Sequence, residues 1–359
     1  MVRAAVLVAP NTFELRSLRS PAVDGESAVV AVELCGVCGT DRTYASGKLA
    51  APYPMILGHE VVARIERIGA RAGERWRLAR GDRVIVESSI PCWSCAACRR
   101  GAYRLCPTKG GYGTRLGTAV EPGLWGGMAE HMFIAPGSIL HPIPPTMPAV
   151  VAVGIPVLAN GLQWLVRRGG VGPGSRALVQ GCGPQGLAAA LVARATGAAE
   201  VTVTGLARDT ARLAYAEGIG ARTVVVDPGW SREERLEAVG RDYDVVLDVS
   251  GSTAAIATAP EHVRAQGTFV LAGLAGRGVT IPFATDDLVY REIRVQGVLS
   301  KDDDAIRAAA SLVAADPRVG ERLGALITHV FPLDRAADAV AALDGDLPGF
   351  VKAAIRPAA

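Results

Sequence analysis

From Arg176 onward the chain alternates short apolar runs with segments of helical period, and no other feature limits its fold so tightly. The runs RALVQGCG, AEVTVTGL, RTVVVD, YDVVLDVSG, GTFVLAGL and IRVQGVLS are rich in Val, Leu or Ile and end in turn residues. Between the first three lie PQGLAAALVARATG and ARDTARLAYAEGIG, each long enough for a helix. Strands that are apolar on both faces must be covered on both faces, and a parallel sheet with crossover helices does this. Six runs predict a doubly wound α/β domain over residues 150–299.

Residues 1–149 read differently. Short β-rich runs such as SAVVAVEL and GDRVIVES, broken by many Gly and Pro, predict an irregular and mostly antiparallel domain. Beyond residue 300 come two amphipathic stretches, DDAIRAAASLVAADP and LDRAADAVAALDG, and a closing run, GFVKAAIRP. The closing run is expected to rejoin the first domain, so residues 300–359 are read as a return to it. A chain of 359 residues is long for one core, which agrees with two. Residues 147–166, MPAVVAVGIPVLANGLQWLV, have membrane length and no charge. Pro148, Gly154, Pro156, Asn160, Gly161 and Gln163 break such a helix or demand polar partners in lipid, so a buried junction ending in a helix is expected, with no membrane partner.

Half of the residues are apolar and 20% are charged, an ordinary globular balance. A net charge of +3, with acidic residues spread among the basic ones, gives no nucleic-acid footprint. Seven cysteines, an odd number, with four close together and no secretory leader, point to reduced thiols in a cytoplasmic protein and to metal binding rather than disulfides.

LVQGCGPQG sets Gly181, Gly183 and Gly186 in G-x-G-x-x-G register after a strand and at the mouth of a helix, with Pro184 and Gln185 completing the loop. The first glycine permits the turn, the second admits a pyrophosphate to the backbone, and the third lets helix and strand pack closely. A dinucleotide is therefore expected. Gly205 stands where an acidic residue would favour the ribose hydroxyls of NAD. Arg208 suits a 2′-phosphate and Asp209 could reach the ribose, so NADP is favoured with NAD kept open.

Cys92, Cys95, Cys98 and Cys106, in a lobe spanning residues 88–110, follow C-x2-C-x2-C-x7-C spacing. Four thiolates complete a tetrahedral zinc and leave no place for substrate, so this zinc is structural. The competing nucleic-acid zinc ribbon has only Arg99, Arg100, Arg104 and Trp93 in its favour. LCGVCGTD and ILGHE bring Cys38, His59 and Glu60 within about twenty residues, an open-site ligand set of thiolate, imidazole and carboxylate.

Taken in order, GVCGTD, GHE, the four-cysteine lobe, GGMAEHMFI, VGPGSRALVQGCGPQG and the closing strand resemble the zinc-containing medium-chain alcohol dehydrogenases over nearly the whole chain. The resemblance implies a GroES-like, mostly β catalytic domain, a Rossmann domain, a structural zinc, usually a catalytic zinc, and a homodimer or homotetramer. It assigns Cys38 and His59 as catalytic zinc ligands, and Glu60 as a carboxylate on or just behind the metal. Thr40 becomes the hydroxyl that relays the substrate proton, Asp41 the carboxylate that orients His59, and Cys35 core. Ser88, Ser89 and Trp125 are candidate pocket walls. The substrate would be a small-molecule alcohol or its carbonyl counterpart.

One departure stands out. The family's remaining ligand, commonly Cys or Glu, falls here on Pro156, or on Val157 with a slip of one, and neither binds zinc. Three arrangements follow: zinc on Cys38, His59 and Glu60 with water, which is favoured; an amide oxygen from Asn160; or little metal at all. Two alternatives also stay open, a zinc-independent reductase of an activated C=C or C=N bond and a non-catalytic cofactor-binding protein. IRVQGVLS, as a sheet edge, is a candidate surface for self-pairing.

Overall fold

The computed structural model describes residues 1–357 except Lys109 and Asp346, so Lys109 of the lobe range and residues 346, 358 and 359 of the C-terminal range lie outside the described residues. The chain forms two units, one of Met1–Pro156 with the segment from Ile327 onward, the other Val157–Leu326. The helices Asp303–Ala315 and Pro317–Ala325 thus belong to the second unit, and the return to the first begins at Ile327.

The first unit is built on a sheet of seven strands and a smaller one of three. Ala28–Gly36 lies at the centre of the larger sheet, antiparallel to Glu60–Ile68, His131–Ile134 and Lys352–Arg356. Register shifts at Val29/Val30 and Val32/Leu34 bend it, as bulges do where a sheet curls over a core. That core gathers Leu7, Val30, Ile56, Val84, Met128 and Ile355, all essentially buried. Ala354 pairs with Gly36 and Ile355 with Cys35, so the end of the chain is laid beside the segment leading to Cys38.

The second unit is a six-stranded parallel sheet in the order Arg222–Val225, Glu200–Gly205, Arg176–Gln180, Tyr243–Asp248, Val263–Leu271, Arg294–Gly297. This is the doubly wound order in which the chain reverses direction beside its first strand, and ligands bind past the strand ends at that point. The helix Pro184–Ala195 is buried almost all round from Gly186 to Ala193, which explains its near-absence of polar residues. Ser231 caps Arg232–Val239, taking the Glu234 N–H while the Glu234 carboxylate takes its own. The apolar stretch Ala149–Gly169 is helical and long enough to cross a membrane by length and composition, but 83% of its apolar 18-residue window is buried within the protein.

Candidate metal centres and cofactor loop

The four lobe cysteines come together. Cys92 Sγ lies 3.9 Å from Cys98 Sγ and 3.5 Å from Cys106 Sγ. A zinc held by four sulfurs at about 2.3 Å has S···S edges of about 3.8 Å, so the cluster has the size of a tetrahedral zinc site. The Cys95 and Cys98 amides point at Cys92 and Cys95 Sγ, at 3.4 and 3.5 Å, and stabilise thiolates. Ser94 Oγ donates to Cys92 at 3.5 Å and helps push that thiol down to about 5. Trp93 takes positive φ (58°), turning the chain between the first two ligands. Tyr103 Oη donates to Glu87 at 2.8 Å and fastens the lobe beside the strand Arg83–Val86.

The second cluster is Cys38, His59 and Glu60, with one ligand atom of each within 4.8 Å of the others. Cys38 ends the approach to the helix Gly39–Ala45, and Glu60 begins the strand Glu60–Ile68. Asp41, fully buried, ties the two segments together. Its Oδ2 accepts from the Cys38 amide at 2.8 Å, its Oδ1 accepts from the Gly58 amide at 3.1 Å, and Oδ1 lies 3.4 Å from His59 Nδ1. With Nδ1 turned to Asp41, Nε2 is the nitrogen left for a metal. Gly58 has φ 92°, and a Cβ there would sit 2.5 Å from Cys35 Sγ. Cys35 is therefore packing, as expected; burial first, then Asp41 and Glu60, push its thiol up.

Lys352, which the sequence reading missed, completes the cluster. It is 1% exposed, places Nζ 2.6 Å from Glu60 Oε2 and donates to the Val37 carbonyl at 2.9 Å. Burial alone would lower it, but Glu60, Cys38 and Asp41 hold it above the ordinary lysine value. His59 behaves alike: burial pulls it down, and Asp41 and Cys38 raise it well above the usual imidazole value. Two cationic groups raised against their own burial mark a negative potential, and a thiol, an imidazole and a carboxylate converging in it suit a divalent zinc.

Among the described residues no fourth His, Cys, Asp or Glu joins this group. Pro156 lies in the helix Ile155–Gly161, and Asn160 is occupied elsewhere: its Oδ1 accepts from the Lys301 amide at 2.8 Å and its Nδ2 donates to Gln185 at 3.0 Å. Both polar groups of Asn160 thus already have partners within the second unit. Trp125 is also core rather than pocket wall, with Nε1 donating to the Val120 carbonyl at 2.7 Å and its ring against Tyr112 and Phe133. Ser88 and Ser89 are part-exposed beside the lobe, and Thr40 Oγ1 lies 3.9 Å from Cys38 Sγ.

In the second unit each glycine of the loop has its own reason. Gly181 takes φ 111° beside Ser250, Gly183 has open space where a Cβ would point, and a Cβ on Gly186 would be 1.9 Å from the Gly181 carbonyl oxygen. Gly183 is the N-cap of Pro184–Ala195, so the open side faces a helix N-terminus, where phosphates bind. A Cβ at Gly205 would meet Cys182 Sγ at 2.5 Å, which explains why no carboxylate grows from that strand end. The adjoining cavity, about 430 Å³, is lined by Gly181, Gly183, Arg208, Asp209, Arg212 and Arg235 among others. Asp209 accepts from the Leu206 amide and Arg212, both at 2.9 Å. Arg235 is 6% exposed, and burial lowers its pKa.

The alcohol dehydrogenase GroES-like domain family matches residues 24–145 and the zinc-binding dehydrogenase family residues 184–315. A Mycobacterium tuberculosis protein named probable alcohol dehydrogenase is 38% identical over 97% of this chain and 96% of its own. Of solved structures, an alcohol dehydrogenase from Thermotoga maritima superposes with a TM-score of 0.88 at 25% identity, covering 99% of both chains. A zinc-binding dehydrogenase from Sinorhizobium meliloti, bound to NADP, gives 0.85 at 26% identity and the same coverage.

Proposed function

This chain belongs to the zinc-containing medium-chain alcohol dehydrogenase family, and on that premise we propose that it interconverts a small-molecule alcohol and its ketone or aldehyde with a nicotinamide dinucleotide. The observation that carries the proposal is the convergence of Cys38, His59 and Glu60 around a negative pocket, with Asp41 behind the imidazole. When bound, zinc there supplies Lewis-acid polarisation of the substrate oxygen, and the nicotinamide exchanges hydride with the carbinol carbon. Cys38, His59 and Glu60 would hold the metal, three protein ligands being what a catalytic zinc takes beside its substrate. Asp41 fixes the tautomer of His59. Thr40, beside Cys38 Sγ, accepts the hydroxyl proton of the alcohol as its own proton passes toward solvent, and the sequence runs backwards for carbonyl reduction.

NADP is the dinucleotide this reading prefers. Arg208, Arg212 and Arg235 outnumber Asp209 around the cavity, and the place of a ribose-binding carboxylate is filled by Cys182 sulfur. The edge strand Arg294–Gly297 carries exposed Val295, with Val289, Tyr290 and Leu299 exposed in the flanking segments, an apolar surface suited to a second copy in a homodimer or homotetramer. All seven cysteines are free thiols, in keeping with a cytoplasmic protein.

Zinc content tests the core of the reading. Wild type is expected to hold two zinc ions per chain and Cys38→Ala one, with NADPH-linked turnover lost in the variant. A second reading, reduction of an activated C=C or C=N bond without catalytic zinc, draws on Pro156 in the place of a ligand. One zinc per active chain would favour it.

A further inference from the structure

Arg235 is 6% exposed, and its guanidinium has no hydrogen bond or ion pair among the described residues. A cation held this deep without a partner is costly, so its place in the fold shows where a partner can enter. Arg235 stands on the helix Arg232–Val239 between two cavities, both within the second unit. One is the dinucleotide cavity described above. The other, about 540 Å³, lies between this helix, the helix Thr253–His262 and the segment 282–291. Arg235 and Ala254 line both. Helical spacing puts Arg235 on the boundary: Val239, one turn on, faces the first cavity, and Arg232, one turn back, faces the second.

Trp230, Pro260, Pro282 and Phe283 give the second cavity apolar walls, and the Phe283 ring meets Phe269 edge-on with centroids 6.3 Å apart. Its other arginines are engaged. Arg232 pairs with Glu261 at 2.7 Å, and Arg291 donates to the Pro260 and Val263 carbonyls. Asp287, exposed at the rim, acts on Arg232 and not on Arg235. What remains is one unbalanced guanidinium at the edge of an apolar chamber whose volume is that of a small-molecule site. A planar guanidinium matches a carboxylate with two parallel hydrogen bonds, whereas a phosphate dianion would leave its further oxygens against apolar walls. We propose that the second cavity is a binding site for an aryl carboxylate, with the carboxylate on Arg235 and the ring against Trp230 and Phe283, and that this ligand weakens dinucleotide binding by engaging the shared guanidinium. The coupling rests on the dinucleotide reading of the preceding section; the site itself does not.

The test uses full-length, zinc-loaded protein in its native assembly, with benzoate as the probe and titration calorimetry as the measure. Wild type should bind benzoate, and Cys38→Ala should bind it equally at this site. Arg235→Met, which loses the charged donor, and Ala257→Phe, which fills the cavity from its own wall, should each weaken binding about tenfold or more. Inorganic phosphate should bind about tenfold more weakly than benzoate. Saturating benzoate should lower the NADPH affinity of wild type about fivefold or more, and NADPH should lower benzoate affinity by the same factor, since coupling is reciprocal. Arg235→Met removes an unpaired buried charge, so it should fold with an unfolding midpoint at or above that of wild type, and benzoate should raise the midpoint of wild type alone. Undiminished benzoate binding in Arg235→Met or Ala257→Phe overturns the proposal. So does its complete loss in Cys38→Ala, phosphate binding as tight as benzoate, or a wild-type NADPH affinity that benzoate leaves unchanged. Failure of wild type to bind NADPH at all would instead overturn the dinucleotide reading, and the benzoate titrations would still decide the site.

Discussion

Asp41→Asn isolates the contribution of one carboxylate to the metal centre. Asp41 has no solvent exposure and meets three N–H or ring nitrogen groups, the Cys38 amide at 2.8 Å, the Gly58 amide at 3.1 Å and His59 Nδ1 at 3.4 Å. An asparagine of the same shape keeps one acceptor oxygen and turns an NH2 toward whichever donor the other oxygen served. One buried backbone N–H is then unsatisfied, at a cost of about 1–3 kcal/mol of stability. Loss of the charge behind His59 should weaken metal binding by a further factor of about 10–100. The assay is chelator competition with two-site analysis, since the four-cysteine site has no contact with Asp41 and provides an unchanged reference within the same molecule. The expected result is selective weakening of one zinc per chain and a lower unfolding midpoint that excess zinc partly restores. Zinc retention within twofold of wild type at both sites would refute the claim that Asp41 holds His59 for a metal.

Cys106→Ser should release the other zinc, leave the Cys38 site loaded, and lower thermal stability sharply, because structural zinc sites contribute directly to folding; zinc counting and calorimetry check this. Gly186→Ala drives a methyl into the Gly181 carbonyl oxygen and should cost about 1–3 kcal/mol as overpacking does, together with most dinucleotide affinity, measurable by titration calorimetry with NADPH. His262 Nδ1 donates to the Gly240 carbonyl at 2.6 Å, and burial lowers its pKa below the ordinary 6.5. Its contribution to stability is therefore present above the unfolded value and lost as pH falls through the lower folded value. His262→Asn should flatten the fall in urea midpoint between pH 7 and pH 5, and an unaltered fall would count against this account.

Local pattern made much of this protein legible. The parallel sheet stood out because its central strands, Glu200–Gly205, Arg176–Gln180 and Tyr243–Asp248, are buried on both faces, and the four lobe cysteines because their spacing has no packing explanation. The glycine loop was legible for the same kind of reason: Ser250 crowds Gly181 and the Gly181 carbonyl excludes a side chain at Gly186, while Gly183 keeps open space at the helix N-terminus. What stayed hidden depends on distant pairing. Nothing in GFVKAAIRP announces that Lys352 meets Glu60; only the register of Ala354 with Gly36 does. The strand Val263–Leu271 begins earlier than its apolar run because Arg264, Ala265 and Gln266 are exposed, with Gln266 at φ 60°. The helix Pro317–Ala325 escaped notice although Asp316 before Pro317 is a recognisable start, its carboxylate accepting from the Arg318 amide at 3.0 Å. Asn160 looked available to a metal because its two partners, Lys301 and Gln185, are remote in sequence.

The first unit is interrupted by the second and regains its inner strand, Lys352–Arg356, only at the end of the chain. During synthesis from the N-terminus, the nucleotide-binding unit can close while its host sheet still lacks a neighbour for Ala28–Gly36. A cut before Lys352 would spare every strand of the parallel sheet yet remove both the neighbour of Ala28–Gly36 and the ammonium beside Glu60. One short strand therefore ties the surroundings of Glu60 to a segment far along the chain.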